Sequence, residues 1–443
     1  MTAQHPLDTF ATERWIRAIL VIFFLMGFGF GTWLSRLPTL RDSLGASTLE
    51  MSMYGLCLAA GSLTGMILSA RAVERFGPRK MMAFTIAVQV VALPLTVVFM
   101  LAGSIPLGVI ALFIYGLNFS AADVAMNVSG ANSERVYGKP RLPLMHAFYS
   151  IGAMLSMGVG SAAEAMKVPL QPHFIAVGLL IGLAGFAVLG WVPRDESALR
   201  PPASHPPLVT TGPVPVVTSP TDDDLATVTG SVPVIPAHAA TGAPVSDGAL
   251  AADASKRRYN PWRDPRVICI GLITLSAGLV EGAPADWLPL ALVDGRGVTN
   301  EFGALMLALF YGAVVTARLA GAALLTRFTR VTVLRTSLAI AAIGILTVVL
   351  VPGPVPMIVG TILWGLGAGV CWPITISAAA DRHETAARDV ATVSAIGYTS
   401  MLLGPMAFGV LGEQIGLLPA FIVLPIFVVL GILLASVTRE PKQ

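Results

Sequence analysis

The chain has 443 residues, of which 55% are hydrophobic and 12% charged, with a formal net charge of +3. Soluble domains carry about 25% charged residues, so too little polar surface is left for a soluble enzyme, a nucleic-acid-binding protein or a disordered chain. The expected class is an all-α integral membrane protein.

A membrane-crossing helix needs ~20 mostly apolar residues. Twelve stretches qualify, at about 16–36, 50–70, 81–102, 106–129, 144–165, 173–193, 266–292, 302–326, 336–352, 357–380, 391–412 and 418–438. The first has no cleavage-like site after it and reads as a retained helix. Met81 to Ala122 and Thr336 to Ala380 hold no charged residue, and each is too long for one crossing. Turn signals break them, Gly103-Ser104-Ile105-Pro106 in the first and Pro352-Gly353-Pro354 in the second, so both read as helical hairpins. Cys57, Cys269 and Cys371 sit in apolar runs without metal-like or disulfide-like spacing and read as small core side chains.

Of the 28 basic residues, 23 fall at one face of this layout. Arg36, Arg41, Lys167 and Arg296 fall at the other, and Arg318 alone lies within a span. The excess of positive charge predicts cytoplasmic termini and a multi-pass protein of the inner (plasma) membrane. Residues 200–250 hold ten prolines and no aromatic residue. Such a segment cannot build a packed core. The expected domains are a six-helix bundle over 1–193, a largely disordered cytoplasmic linker over 194–265, and a second six-helix bundle over 266–443. Arg75-Phe76 after span two and Arg327-Phe328 after span eight suggest related halves, a layout typical of transporters.

The loop after span two reads Arg71-Ala72-Val73-Glu74-Arg75-Phe76-Gly77-Pro78-Arg79-Lys80. It resembles the loop signature of the major facilitator superfamily, with Glu74 at the acidic position and Gly77 at the turn. Ala70 and Pro78 depart from the usual pattern. Asp123-Val124-Ala125-Met126-Asn127, Glu134, Leu142-Pro143 and His146 resemble spans four and five of the MosC-type bacterial permeases. Glu281-Gly282-Ala283, Ala285-Asp286-Trp287, Arg318-Leu319 and Gly404-Pro405 resemble the same subgroup. The resemblance implies a twelve-helix major facilitator fold and a small-solute permease in which spans one, four, seven and ten line a central cavity. It also implies a gating role for Glu74, Arg75, Gly77 and Arg79. The arginine usual in span four of the superfamily is absent, and Asn118 stands near its place.

Ionisable groups at membrane depth are costly, which makes each a candidate. Asp123, Asn127, Gly130 and Glu134 share one helix face by spacing. Two readings fit them, a polar stripe lining a cavity or a structural lock for loop arginines. Glu281 falls near mid-depth with Pro284 and Pro289 close behind, which suggests a broken span at a substrate or coupling site. Asp286 and Trp287 fall nearer the outer mouth. Arg318 falls level with Asp123 by helical rise, so Asp123 or Glu134 fits its depth better as a partner than Glu281, which a long side chain would have to reach across an axial mismatch. Trp33, Trp364 and Trp372 are candidates for stacking on a solute. Trp15, Trp191 and Trp262 are expected interface anchors. His146 starts span five, as a polar cap or a gating group. Gly27-x-Gly29-x-Gly31 and Gly365-x-Gly367-x-Gly369 lie inside spans and read as close-packing positions, with no phosphate loop implied.

The expected function is secondary active transport of a small polar organic solute by alternating access, with protons as the candidate coupling ion. A drug efflux pump and a non-transporting sensor or scaffold are the alternatives. No enzymatic activity, cofactor, metal or nucleic-acid partner is expected. The expected partners are a small-molecule substrate, protons and membrane lipid, and the expected state is a monomer.

Overall fold

The computed structural model describes residues 9–138, 141–196, 259–382 and 385–440. The first six spans are Thr9–Ser35, Thr48–Phe76, Pro78–Leu101, Ile105–Tyr137, Leu142–Ala165 and Leu170–Leu189. Spans seven to nine are Pro265–Arg296, Asn300–Arg327 and Arg330–Leu350. Span ten is two helices, Pro354–Ala368 and Cys371–Ala379. Span eleven is Ala386–Ile415 and span twelve is Leu417–Thr438. No strand occurs among the described residues. Eleven of these helices have the length and apolarity to cross a membrane. The twelfth, span five, is a helix of 24 residues.

The spans form two bundles of six. Span one packs on five and six, two on four, and three on four and six; in the second bundle seven packs on eleven and twelve, eight on ten, and nine on ten and twelve. The bundles meet where span two lies against eleven and span five against eight. Each pairing becomes the other when every span is advanced by six, the geometry of two related halves.

Small residues let these helices approach, since packing rather than hydrophobic exclusion joins helices in lipid. A side chain on Gly27 or Gly31 would collide with span five, and one on Gly29 with Gln89 of span three. Gly365 and Gly369 meet span eight in the same way, and Gly367 meets span nine. Gly77 closes span two and opens span three at φ 84°, ψ 152°, a conformation essentially restricted to glycine. The turn glycine of the loop signature is therefore required by the backbone.

We call the face bearing the described chain ends the terminal face and the other the distal face. At the distal face the halves are tied together. A short helix, Leu37–Leu44, follows span one. Its Arg41 pairs with Asp294 in the last turn of span seven, and its Asp42 accepts from Asn300 Nδ2 at the start of span eight at 3.0 Å. Nearby, Leu49 N–H donates to Glu413 at 3.3 Å, and Ser161 Oγ donates to the Glu301 carbonyl at 2.8 Å.

At the terminal face, a set of ion pairs lies within the second half. Asp381 is held by Arg266 at 2.9 Å and by Arg330 at 2.7 Å. Asp264 pairs with Arg382 and also caps span seven. The Arg382 hydrogen bond holds the Asp264 carboxyl below its ordinary range.

Most of the expected linker, residues 197–258, lies outside the described residues, as does the His383-Glu384 pair. Its edges are docked. Glu196 is buried and accepts from Ser129 Oγ at 2.6 Å and Asn132 Nδ2 at 2.8 Å. Tyr259 donates to Asp389 at 2.8 Å. Trp15 corrects an expectation: it is fully buried, with its indole N–H donated to Ser129 at 3.0 Å, and does not anchor at the interface. Trp191 and Trp262 are exposed at the terminal face, and Arg14 stacks over Trp191 at 5.4 Å.

Candidate functional site

The centre of the molecule is organised by two prolines. A helical proline lacks the N–H that would bond the carbonyl four residues back. Pro284 therefore frees the Val280 carbonyl in span seven, and Pro373 frees the Gly369 carbonyl in span ten. Both are satisfied by side chains from other helices. Trp364 Nε1 donates to Val280 O at 2.8 Å, and Arg318 Nε donates to Gly369 O at 3.3 Å.

Two expectations change as a result. Span seven runs unbroken through Pro284 and Pro289, while span ten breaks between Ala368 and Cys371. Trp364 is fully buried and edge-packed on Phe310 and Phe421, so it seals span seven and does not line a cavity. Trp364→Phe keeps an aromatic ring but orphans the carbonyl, at a cost of about 1–3 kcal/mol. A lower unfolding midpoint in detergent is the expected reading, and an unchanged midpoint would contradict this role.

Arg318 is the hub. Its Nη2 donates to Glu281 Oε1 at 2.5 Å, and its Nη1 reaches Ser150 Oγ of the opposite half at 3.4 Å. One guanidinium thus touches spans five, seven, eight and ten. The expected pairing with Asp123 or Glu134 is corrected. Depth counted along straight parallel helices overstated the axial offset that a long arginine must bridge. Glu134 is engaged elsewhere, accepting the backbone N–H groups of Arg141 and Leu142 at 2.8 Å each. It caps the start of span five, where those groups have no helical partner.

The Arg318 and Glu281 side chains are 36% and 23% exposed, so the pair borders open space and is not sealed. Asp123 of span four is exposed as well. Leu107, Ile110 and Ile114 mark the outward face of that helix. Asp123 lies nine residues beyond Ile114, about two and a half turns, and so points the opposite way. Asn127 Nδ2 donates to its carboxylate at 3.0 Å and to its carbonyl at 2.8 Å. Tyr149 of span five lies in the fields of Asp123, Tyr311 and Arg318, and Tyr398 of span eleven lies in that of Asp123. Tyr311 senses Glu281 and Asp286. Trp372 packs on Tyr398 with ring centres 5.6 Å apart. His146 is exposed one turn before Ser150, edge-on to Phe23 at 5.2 Å and in the field of Arg318. The N-cap position of this helix is held by Arg141.

The remaining candidates lie elsewhere. Asn118 is buried and donates to the Thr85 carbonyl of span three at 3.0 Å. Trp33 and Trp287 are buried in the core, the latter with an unpartnered indole N–H. Asp286 is half-buried on span seven. Glu74 and Arg75 are exposed at the terminal face beside Gly77, with Arg75 stacked on Phe76 at 5.6 Å, and Arg79 is half-buried. Tyr149, Ser150, Tyr311 and Tyr398 escaped the sequence reading. Their signal is a phenol or hydroxyl at mid-span on the helices where the halves meet. No cluster of three or more metal-ligating side chains occurs among the described residues. Two pockets, of about 510 and 630 Å³, lie at the distal face away from this centre.

The family description Major Facilitator Superfamily matches residues 19–299 and 270–443. The chain belongs to this superfamily. The transporter is 28% identical over 430 residues to the uncharacterized transporter y4wD of Sinorhizobium fredii, covering 96% of this chain and 98% of that one. It is 23% identical over 411 residues to the membrane protein MosC of Rhizobium meliloti, covering 91% and 84%. Among solved structures it superposes on the nucleoside transporter NupG with a TM-score of 0.67 at 12% identity, covering 96% and 98%. A bacterial homologue of the lysosomal transporter Spinster gives 0.64 at 12% identity, covering 98% and 99%. The twelve-span, two-bundle architecture and the likeness to MosC read from the sequence agree with these findings.

Proposed function

We propose that the transporter moves a small polar organic solute by alternating access, with Glu281 and Arg318 at the centre of solute binding and proton coupling. The observation that carries this reading is the Arg318 guanidinium, which joins span eight to spans seven and ten and touches Ser150 of the opposite half. A proton on Glu281, or a solute hydroxyl in its place, would free one arm of that grip and loosen the contact between halves. Asp123 adds a second carboxylate against a single guanidinium, which favours a neutral or cationic solute over an anion. Trp372 and the three tyrosines offer flat surfaces and hydroxyls suited to a polyhydroxylated or ring-bearing solute.

The distal ties support reading this as a state closed at that face. With both termini in the cytoplasm of a plasma-membrane protein, this is the inward-open state. Glu74, Arg75, Gly77 and Arg79 then belong to the contacts that form when the terminal face closes. Residues 194–265 serve as the cytoplasmic link between bundles. Purified protein in liposomes, challenged with a panel of labelled polar metabolites with and without a pH gradient, tests the reading. Gradient-stimulated uptake of one class is expected. No uptake of any member would reject it.

A further inference from the structure

The distal end of the first bundle holds a second polar site, independent of the central one. Arg36 ends span one and is only 2% exposed. Its Nη2 donates to the Val168 carbonyl at 2.7 Å, and its Nη1 lies 3.2 Å from the Glu164 carboxylate. Its Nε has no partner. A buried arginine N–H left without an acceptor calls for an explanation. Nearby, His173 is 7% exposed, lies in the field of Arg36, and has neither ring nitrogen hydrogen-bonded. Arg36 lines a pocket of about 510 Å³ together with Glu164, Lys167, Thr39 and Gln171.

The backbone around this pocket is unusual. Lys167 is the one non-glycine residue with positive φ among those described, at 54°. A left-handed lysine is unfavourable, and such strain persists where surrounding structure holds it. It sits beside the uncapped N-terminus of span six, whose first N–H groups point outward with partial positive charge. Glu164, held by Thr39 Oγ1 at 2.5 Å, supplies a negative group on the other wall. The pocket thus offers a cationic wall and an anionic wall at the end of a membrane-spanning bundle, which is headgroup depth.

We propose that this pocket binds the zwitterionic headgroup of an amine-bearing phospholipid. The phosphate meets Lys167 and the start of span six, with the buried positive charge of Arg36 behind them, and the ammonium meets Glu164. A headgroup without a cation would satisfy only one wall, and a choline would meet Glu164 by charge alone, without an N–H donor. The occupant ties spans one, five and six together next to the short helix that carries the distal ties.

Native mass spectrometry of protein released from detergent after incubation with phosphatidylethanolamine, phosphatidylglycerol or phosphatidylcholine tests the assignment. Phosphatidylethanolamine is expected to be retained preferentially, and Lys167→Gln, at an exposed position, to weaken that retention about tenfold. Lys167→Gly is expected to weaken retention while raising the unfolding midpoint of delipidated protein, because glycine relieves the backbone. Equal retention of the three lipids, or retention unaffected by both variants, would overturn the proposal. Soluble phosphoethanolamine and inorganic phosphate form the control arms. A shift in unfolding midpoint by either equal to that of the lipid would assign the pocket to a free phosphate compound and overturn the lipid assignment.

Discussion

Glu281→Gln is expected to cut solute transport about thirtyfold while leaving the protein folded. The glutamine keeps the size of the side chain and one acceptor, but the charge-assisted bond from Arg318 is lost, worth about 2 kcal/mol. At ~1.4 kcal/mol per factor of ten, that sets the size of the effect. The pair is partly open to solvent, so the uncompensated guanidinium can be hydrated and the fold survives. Two readouts separate coupling from binding. If Glu281 carries the proton, the variant loses its response to a pH gradient but still exchanges labelled for unlabelled solute. If Glu281 only positions Arg318, exchange and net uptake fall together. Wild-type rates with an intact gradient response would remove Glu281 from the mechanism.

The second large effect is expected at the distal ties. Arg41 pairs with Asp294, and Glu413 accepts from the Leu49 N–H, each joining one half to the other. Exposed links of this kind are worth about 0.5–1 kcal/mol each, and these two lie on different helices, so their losses should nearly add. Arg41→Ala combined with Glu413→Ala should enlarge the distally open population about tenfold. Spin-label distances between spans one and seven at the distal face report that population directly. An unchanged distance distribution would show that these ties do not set the equilibrium.

The spans were legible because lipid imposes a length of apolar residues that soluble folds do not need. The hairpins at Gly103 and Pro352 followed from uncharged runs too long for one crossing. The direction of each side chain was less legible. Trp33, Trp364 and Trp372 look alike in sequence, yet only Trp372 borders the central space. What separates them is helix rotation, set by packing partners far along the chain. Pro284 and Pro289 looked like a break, but span seven stays continuous because the indole of Trp364 replaces the missing donor. Pro373 was equally visible, and its helix does break, beside the carbonyl that Arg318 takes. The Arg318 pairing failed on geometry, since residue counts from the ends of tilted helices do not give relative depth. Glu134 was read with Asp123 because they share a face, whereas its carboxylate turns back to cap the next helix.

The central claim is that Asp123 and Glu281 border one water-filled space between the halves, open at the terminal face. Single cysteines at position 123 and at the outward-facing position 110 of the same helix, in protein with Cys57, Cys269 and Cys371 replaced, test it most directly. A membrane-impermeant maleimide applied at the terminal face should modify position 123 rapidly, with slowing when transported solute is added, and should leave position 110 unmodified. Equal labelling at both positions, or none at position 123, would contradict the account.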